Sequence, residues 1–418
     1  MNKRPTSFPE SFLWGVATSA YQVEGGNYNN WSVWELENAK TLAKLAEYKL
    51  RDLPMWNDIR SEAVRSENYL SGIAIDHYNR FESDFDIVRK MNLNAFRFSI
   101  EWSRVEPDEG MWNVTEVEHY KRYIKTLRLR GIEPILTLYH WASPVWFADK
   151  GGFEKSRNIE YFVRFAEKIL EELGPDLQYI ITVNEPDTLA QRGYFTQEHP
   201  PQKRSLTKSI WVYRNQLKAH KRIYSLAKRR SRHFQIGFVK NYTNVVRGDE
   251  RFLTKLAVWL DYAIKDGIIL RYIGRRQDFL GVSYYLTDVY KGFQTVHTNP
   301  VVSDLGWGLQ PEGLEHVLKR LRRYKKPIYV MGTGVADIGD NYRRDWISKT
   351  ILSIQRARVS GVDVKGYFYG NLFDNFEWAY GRWPRFGLIG IDYENNLRRI
   401  PKKSAAYYAM VVKKIRGV

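Results

Sequence analysis

The chain has 418 residues, 44% of them hydrophobic, and a formal net charge of +18 from 65 Lys and Arg against 47 Asp and Glu. This length suits one large α/β domain or two ordinary ones with a sizeable core. With 0 cysteines, disulfides, thiolate nucleophiles and zinc–thiolate sites are excluded. No stretch approaches the ~18 apolar residues of a membrane span, and the opening MNKRPTSFPESFLWG lacks the apolar core of a secretory signal, so we expect a cytoplasmic protein without a membrane partner.

The positive charge is concentrated in two runs, KAHKRIYSLAKRRSRHF at 218–234 and KRLRRYKK at 319–326. In both runs apolar residues recur at helical spacing between the charges and a β-rich apolar run follows, which favours the solvated face of a helix packed on a sheet. The alternative is a nucleic-acid-binding surface, because a large positive charge attracts polyanions. Neither run carries a nucleic-acid-binding motif, so we expect no nucleic-acid partner.

Eight strand-like apolar runs alternate with amphipathic stretches along the chain. The predicted strands lie at 12–19, 95–100, 133–139, 179–183, 234–239, 278–285, 327–331 and 366–370. Helices that end at a glycine are predicted at 117–131, 159–174 and 343–361, and a helical insertion in the first βα loop at 38–72. No linker or low-complexity tract divides the sequence, which indicates one domain over residues 1–418.

This alternation predicts a parallel sheet covered by helices, because near-continuous apolar strands are typical of a sheet that is buried on both faces. Eight strand–helix units in about 400 residues predict a closed (β/α)8 barrel, or TIM barrel, with some long βα loops. An open doubly wound sheet is the alternative. It would need a glycine-rich phosphate-binding turn after an early strand, and the sequence contains no such G-x-G-x-x-G motif.

The carboxyl ends of the predicted strands, where (β/α)8 barrels form their active sites, are unusually polar. In chain order they carry Gln22, Glu24, Arg97, Glu101, His140, Trp141, Asn184, Glu185, Tyr285, Asp374, Asn375, Glu377 and Trp378. Amides, carboxylates and imidazoles hydrogen-bond vicinal hydroxyls, and indoles stack on pyranose rings. These strand ends therefore predict a sugar-binding pocket.

Glu185, in the segment TVNEP, is the candidate general acid/base. A lone Glu at a strand end is more often an ion-pair partner, but Asn184 precedes this one and His140 ends the preceding strand. Glycoside hydrolysis needs a second carboxylate, about 5.5 Å away for retention of configuration and about 6.5–9.5 Å away for inversion. The seventh strand should supply that carboxylate, but the segment PIYVMGTGV places Gly332 there.

The sequence resembles the family 1 glycoside hydrolases, the retaining β-glucosidase and β-galactosidase barrels, nearly from end to end. FPESFLWGVATSAYQVEGG at 8–26, TVNEP at 182–186 and DNFEWAYGRWPRFGLIGIDYE at 374–394 carry the resemblance. It implies that Glu185 is the proton donor and later the base, that Asn184 holds the sugar 2-hydroxyl, and that Arg97 and Tyr285 orient and stabilise the nucleophile. It further implies sugar-ring contacts from Gln22, His140, Trp141, Glu377 and Trp378, and an aglycone platform at Trp307.

The departures from the family pattern are concentrated where the nucleophile should be. The family motif I/V-T-E-N-G aligns with Val330, Met331, Gly332, Thr333 and Gly334, so Gly332 replaces the nucleophilic Glu. Without that carboxylate no glycosyl-enzyme intermediate forms, and hydrolysis by double displacement should fall by several orders of magnitude.

Other departures concern the sugar subsite. FYGNLFDNFEW at 368–378 resembles YWSLLDNFEW, so Gly370 replaces a Trp that the family stacks under the sugar, unless Tyr380 or Trp383 fills the space. Ser283 stands where the family usually has Asn. Glu377 argues against 6-phosphorylated sugars, because a carboxylate there would repel the phosphate.

Three functions remain open at this point. The first is a retaining β-glycosidase scaffold without its nucleophile, which binds β-linked glycosides and small sugars or acts as a glycosynthase, and which needs neither metal nor organic cofactor. The second is a natural carbohydrate-binding pseudoenzyme on the same barrel, and the third is nucleic-acid binding. The chain retains Arg97, Tyr285 and Glu185, which favours the first function. It also favours a deliberate Glu→Gly exchange over natural loss of the nucleophile, because a chain drifting without catalysis has no use for the charged partners of an absent anion. The preferred sugar and the oligomeric state do not follow from the sequence.

Overall fold

The computed structural model describes residues 8–296 and 299–417. The ends of the predicted 1–418 domain and residues 297 and 298 lie outside these ranges. The strands are β1 Leu13–Ala17, β2 Ala95–Ser99, β3 Glu133–Thr137, β4 Tyr179–Asn184, β5 Gln235–Asn241, β6 Asn244–Arg247, β7 Leu280–Ser283, β8 Thr287–Lys291, β9 Gln294–Val296, β10 Ile328–Gly332, β11 Val364–Gly370, β12 Ile389–Asp392 and β13 Arg398–Pro401.

The α-helices connect and cover these strands. They are α1 Ala20–Val23, α2 Asn30–Leu50, α3 Trp56–Ala63, α4 His77–Lys90, α5 Trp102–Val105, α6 Val114–Leu129, α7 Val145–Asp149, α8 Ile159–Glu172, α9 Pro186–Tyr194, α10 Leu206–Arg230, α11 Phe252–Tyr262, α12 Ile269–Ile273, α13 Gly313–Leu321, α14 Arg343–Val359 and α15 Lys403–Arg416. A π-helical segment, Ala263–Ile268, joins α11 to α12.

Eight parallel strands close into a barrel in the order β1-β11-β10-β7-β5-β4-β3-β2. The predicted (β/α)8 barrel in a single domain is therefore confirmed, and the alternative of an open doubly wound sheet is wrong. The remaining strands lie outside the barrel, in a three-stranded sheet β6-β8-β9 and a hairpin β12-β13.

Alternate residues of each barrel strand face the barrel interior or the surrounding helices. In β3, Ile135 belongs to the cluster that fills the barrel, while its neighbour Leu136 packs in the large core under the helices. Both are 0% exposed. The strands therefore read as continuous apolar runs, because each face of the sheet is buried.

The helices begin where side chains satisfy their first N–H groups. Helix α6 starts at Val114, three residues before the predicted start at 117, because the Asn113 side chain accepts from the N–H groups of Thr115 and Glu116 at 3.1 and 3.4 Å. It ends at Leu129, two residues before Gly131, which has a positive φ of 68°.

The segment between β1 and β2 contains α2 and α3, which pack on each other through small side chains. Ala39, Ala43 and Ala46 of α2 form a buried cluster with Ile59 of α3 and with Trp383 from the loop after β11. Trp383 is 1% exposed within this cluster. Trp383 therefore packs against these helices and does not line the cavity beside Gly370. Of the two side chains suggested from sequence to fill the space at Gly370, Trp383 is ruled out.

The two basic runs lie on helices whose opposite faces are buried. In α10, Ala219, Ile223 and Ala227 are buried, while Arg222 and Arg229 are exposed. The run at 319–326 covers the end of α13 and the 3-10 turn that follows it. No helix within residues 8–296 and 299–417 is long and apolar enough to cross a membrane.

Candidate active site

The carboxyl ends of the barrel strands surround one cavity of about 800 Å³, including its open mouth. All the residues predicted as catalytic or sugar-binding line this cavity: Gln22, Arg97, His140, Trp141, Asn184, Glu185, Tyr285, Trp307, Gly332, Glu377 and Trp378. They come from seven different strand ends and loops, which only the closure of the barrel brings together. No group of three or more His, Asp or Glu side chains in the described part of the chain is arranged to hold a metal ion.

Glu185 lies at the junction of β4 and α9, where Pro186 is the first helical residue. Its φ of 41° is in the left-handed region, a conformation that is strained for Glu and that recurs at functional sites. Burial, and then the charge of Asp187, raise the pKa of Glu185, although the Thr188 hydroxyl donates to its carboxylate at 3.0 Å. A raised pKa favours the protonated carboxyl, which is the state a proton donor needs.

Asn184 connects the acid/base side of the cavity to its neighbours. Arg97 donates to the Asn184 Oδ1, which orients the amide so that its Nδ2 donates to His140 Nε2 at 2.9 Å. The indole of Trp141 donates to the Asn184 carbonyl oxygen at 3.0 Å.

His140 is neutral and has one free N–H. Burial, with Arg97 second, lowers the pKa of His140 well below its usual range. Because Nε2 accepts from Asn184, the proton resides on Nδ1, which has no partner among the described residues. His140 lines the cavity, but its Nδ1 is itself buried.

Glu377 is held by two side-chain amides. The Gln22 Nε2 donates to the Glu377 Oε2 at 3.1 Å and Asn371 Nδ2 at 3.4 Å. Burial raises the pKa of Glu377 to about 7, against the positive charge of Arg192, which lowers it. The carboxyl is therefore poised to change its protonation state near neutral pH.

Trp378 is oriented by other aromatic rings of the site. Its ring stacks on Tyr21 with centroids 5.3 Å apart and lies 4.7 Å from the ring of Trp141. Both Trp141 and Trp378 have positive φ values, 69° and 53°. Two bulky residues in a strained conformation on the same wall indicate a rigid, preorganised aromatic surface.

The side of the cavity around Gly332 contains cations and hydroxyls but no carboxylate contact. Gly332 is the last residue of β10, and Arg97 donates to the preceding carbonyl, that of Met331, at 2.7 Å. A Cβ on Gly332 would lie 3.0 Å from the Tyr285 hydroxyl. Within residues 8–296 and 299–417, no Asp or Glu oxygen lies within 4.0 Å of the Arg97 guanidinium. Burial lowers the pKa of Arg97 to about 10.

Some polar strand-end residues lie outside the cavity and hold loops in place. Glu24 forms an ion pair with Arg104 at 3.0 Å, and Asp374 forms one with Lys402 at 2.8 Å. The residues of this kind are Glu24, Glu101, Asp374 and Asn375, none of which lines the cavity. A strand-end position alone therefore does not place a side chain in the site.

The cavity is also lined by residues that the sequence did not single out, among them Thr188, Arg192, Asn371 and Phe386. Thr188 and Arg192 follow Glu185 by three and seven residues on α9, so helical periodicity from Glu185 would have found them. Phe386 had no such signal, because it comes from an irregular loop. Its ring lies 6.2 Å from that of Trp307 and 6.4 Å from that of Tyr285.

The sequence model of glycosyl hydrolase family 1 matches residues 4–258 and 263–416. The chain belongs to this family. Beta-glucosidase A of Thermotoga maritima is 30% identical over 457 residues, which cover 97% of this chain and 98% of that protein. The 6-phospho-beta-galactosidase of Clostridium acetobutylicum is 29% identical, with 97% of each chain covered.

Solved structures of family 1 proteins have the same fold. A beta-glycosidase from Pyrococcus horikoshii gives a TM-score of 0.86 at 31% identity, covering 98% of this chain and 96% of that one. Beta-glucosidase from Thermotoga maritima in complex with glucoimidazole gives a TM-score of 0.84 at 28% identity, covering 99% and 100%. The family predicted from sequence is thus confirmed. The relatives of this chain include a β-glucosidase that it matches over nearly the whole length of both proteins.

Proposed function

We propose that this chain is a β-glucosidase-like family 1 glycosidase in which Gly332 occupies the position of the nucleophile. It binds terminal β-linked glycosides and small sugars in the cavity, hydrolyses them very slowly, and is competent as a glycosynthase. One observation carries the proposal: the buried guanidinium of Arg97 and the hydroxyl of Tyr285 lie beside Gly332 with no carboxylate between them.

Glu185 is assigned the role of acid and base. Its raised pKa allows it to protonate the glycosidic oxygen, and its carboxylate can later take a proton from an acceptor hydroxyl. Retaining hydrolysis also needs a carboxylate that attacks the anomeric carbon from the other face. In this chain that attack has no nucleophile, so the first step stops at bound substrate.

The backbone conformation at Gly332 does not require glycine. This supports the proposal that position 332 differs from the family only by the loss of the Glu side chain. Gly332 is not among the residues with a positive φ. Its Cβ would meet Tyr285 and Ser283 hydroxyls at 3.0 and 3.2 Å, contacts that a shift of a few tenths of an ångström relieves. By contrast, a Cβ on Gly334 would lie 2.0 Å from the Gly370 carbonyl oxygen, so Gly334 is demanded by packing.

The test is release of nitrophenol from an aryl β-glucoside by the chain itself, by Gly332→Glu and by Gly332→Gln. Glutamine is the matched control, because it fills the same space without supplying a nucleophile. We expect turnover far above that of the chain itself only with Gly332→Glu. Equal turnover by the chain itself would show that another group performs the displacement and would overturn the proposal.

Glycosynthase activity gives a second readout of the same proposal. With an α-glycosyl fluoride and a sugar acceptor, the acceptor oxygen bonds to the anomeric carbon, the carbon–fluorine bond breaks, and fluoride leaves on the side that Gly332 vacates. Glu185 takes the acceptor proton. Fluoride release that depends on acceptor and is lost in Glu185→Gln is the expected result.

Gly370 supports a second candidate, a natural carbohydrate-binding protein on this barrel. Its Cβ would make only ordinary contacts of 3.4 to 3.7 Å, so the sugar subsite has also lost the volume of a large side chain. If Gly332→Glu stays silent while glucosides bind, this candidate replaces the first. Glu377 makes unphosphorylated sugars the proposed ligands, because its carboxylate would repel a 6-phosphate.

A further inference from the structure

Buried cations in this protein are paired with acids, with one exception. Among the described residues, Arg97, Lys240 and Arg343 are the Lys and Arg side chains that are buried. Arg343 pairs with Asp337 and Asp340, and Lys240 lies 3.3 Å from Asp187. Arg97, which is 3% exposed, has no acid within 4.0 Å in the described ranges. Glu185 is the acid whose charge acts on Arg97, but it does so from beyond contact distance. A buried charge without an acid in contact is costly, so an anion beside this guanidinium would be stabilised.

The Arg97 guanidinium retains donor capacity. It donates once from each nitrogen: from Nε to the Thr137 hydroxyl at 3.3 Å, from Nη1 to the Met331 carbonyl, and from Nη2 to Asn184. A guanidinium carries five N–H groups, so two remain unused. Both unused groups are on the terminal nitrogens, which form the fork that carboxylates prefer.

A second buried polar group without a partner lies on the same side of the cavity. The Ser283 side chain is 1% exposed, and its hydroxyl makes no hydrogen bond of normal geometry with the described residues, although it is near enough to Glu185 to lower the pKa of that carboxyl. The Ser283 and Tyr285 hydroxyls lie 3.2 and 3.0 Å from the position of a Cβ on Gly332. Two hydroxyl donors therefore face the same space as Arg97.

Gly332 and Gly370 leave that space open. A Cβ on Gly370 would lie 3.6 Å from the Cα of Gly332 and 3.4 Å from the Tyr285 hydroxyl. The two missing side chains thus open toward one another beneath the position of the sugar. Neither glycine has a positive φ, so neither is explained by a turn.

We infer that the space between Gly332 and Gly370 is a binding site for a carboxylate that the protein does not supply. Arg97 is its anchor, and the hydroxyls of Ser283 and Tyr285 donate to its oxygens. The carboxylate is either that of a small free acid or one bonded to the anomeric carbon of a sugar acid, since this space lies against the anomeric centre. The inference rests on the proposed function only for the position of the sugar.

The first experiment titrates formate and acetate by calorimetry, without sugar, at constant ionic strength set by a bulky buffer anion. We expect saturable binding that is weakened about 10–100-fold by Arg97→Met, the range for loss of hydrogen bonds to a charged group. Gly332→Gln, which fills the space without charge, should abolish it. Arg323→Met removes an exposed cation remote from the cavity and should leave it unchanged.

A second arm distinguishes the two sources of the carboxylate. A 2-ulosonic acid, whose carboxylate is bonded to the anomeric carbon, is compared with glucose in competition with acetate. Displacement of acetate by the ulosonic acid but not by glucose assigns the site to sugar acids. Binding of acetate together with glucose assigns it to a free anion.

Non-saturable heats, or heats that are the same in Gly332→Gln, would overturn the inference. That failure is distinct from failure of the proposed function, which is read from binding of a neutral β-glucoside. If the glucoside does not bind while acetate does, the proposed function falls and the carboxylate site stands.

Discussion

The two sides of the cavity differ in whether they carry a carboxylate. On the side of Glu185, the Thr188 hydroxyl donates to the Glu185 carboxylate, and Asn184 is hydrogen-bonded to His140 and Trp141. On the side of Gly332, by contrast, no Asp or Glu oxygen of the described residues lies within 4.0 Å of the buried Arg97 guanidinium. Both sides stand on parallel strands of the barrel, β4 and β10, and the pairing of each strand has a register shift before its last residue. If position 332 is that of the nucleophile, as we propose, the comparison teaches that the barrel keeps the position of a functional group without the group itself, because the strands are stabilised by their own core.

The largest effect is expected when a carboxylate is introduced on the side of Gly332. Gly332→Glu should raise the rate of aryl β-glucoside hydrolysis by about 10³-fold or more, because on the proposed function it supplies the nucleophile while Glu185 acts as the acid. In that background, Glu185→Gln should remove about 10²–10⁴ of the gain. Rates of nitrophenol release measure both changes. Full activity in the double variant would show that Glu185 is not the acid.

The next prediction concerns the charge on the deficient side. In the chain itself, Arg97→Met removes an unpaired buried cation, whereas in the Gly332→Glu background it leaves a buried carboxylate without its partner. A double-mutant cycle should therefore give a coupling free energy of unfolding of about 2 kcal/mol. Urea denaturation of the four proteins measures this coupling. If the effects of the two substitutions on the free energy of unfolding add within about 0.5 kcal/mol, Arg97 does not interact with the carboxylate introduced at position 332.

A large side chain at position 370 should change the dissociation constant for glucosides more than the rate of the chemical step. Gly370→Trp adds an indole beneath the sugar and should tighten glucoside binding about tenfold by stacking and burial. Gly370→Ala, which adds only the Cβ, is the matched control and should leave the dissociation constant nearly unchanged. Calorimetric titration with a β-glucoside measures both. Weaker binding by the Trp variant would show that another group already occupies this space.

The smallest effect is a pH dependence on the wall of Glu377. Its pKa is raised from 4.5 to about 7 in the folded protein, so its protonated form stabilises the fold at low pH. That contribution is present below pH 4.5 and is lost as the pH rises through about 7. Between pH 4.5 and 8, the Tm of Glu377→Gln should therefore fall by less than the Tm of the parent. Differential scanning calorimetry of both proteins across this pH range measures the difference. The exposed Glu10→Gln is the control, and parallel Tm profiles for parent and Glu377→Gln would contradict the shift.

Local sequence patterns were sufficient for the barrel and for most of the cavity wall. Strands such as β3 read as apolar runs because both faces are buried, and the polar residues that end them are exposed to the cavity by the geometry of the fold. The same logic failed for Glu24 and Asp374, because a strand end specifies a level in the barrel but not the direction of a side chain. Their partners, Arg104 and Lys402, are distant in sequence.

The sequence by itself determined the order of strands and helices, the family, the position of Glu185 and the identity of the residue at 332. The tertiary structure decided which glycines are required and which are open: Gly334 is closed by the Gly370 carbonyl, while Gly332 and Gly370 face shared space. It also decided that Arg97 is buried with no acid of the described residues within 4.0 Å of its guanidinium. These are properties of chain segments that meet only when the barrel closes, so no local pattern of residues could report them.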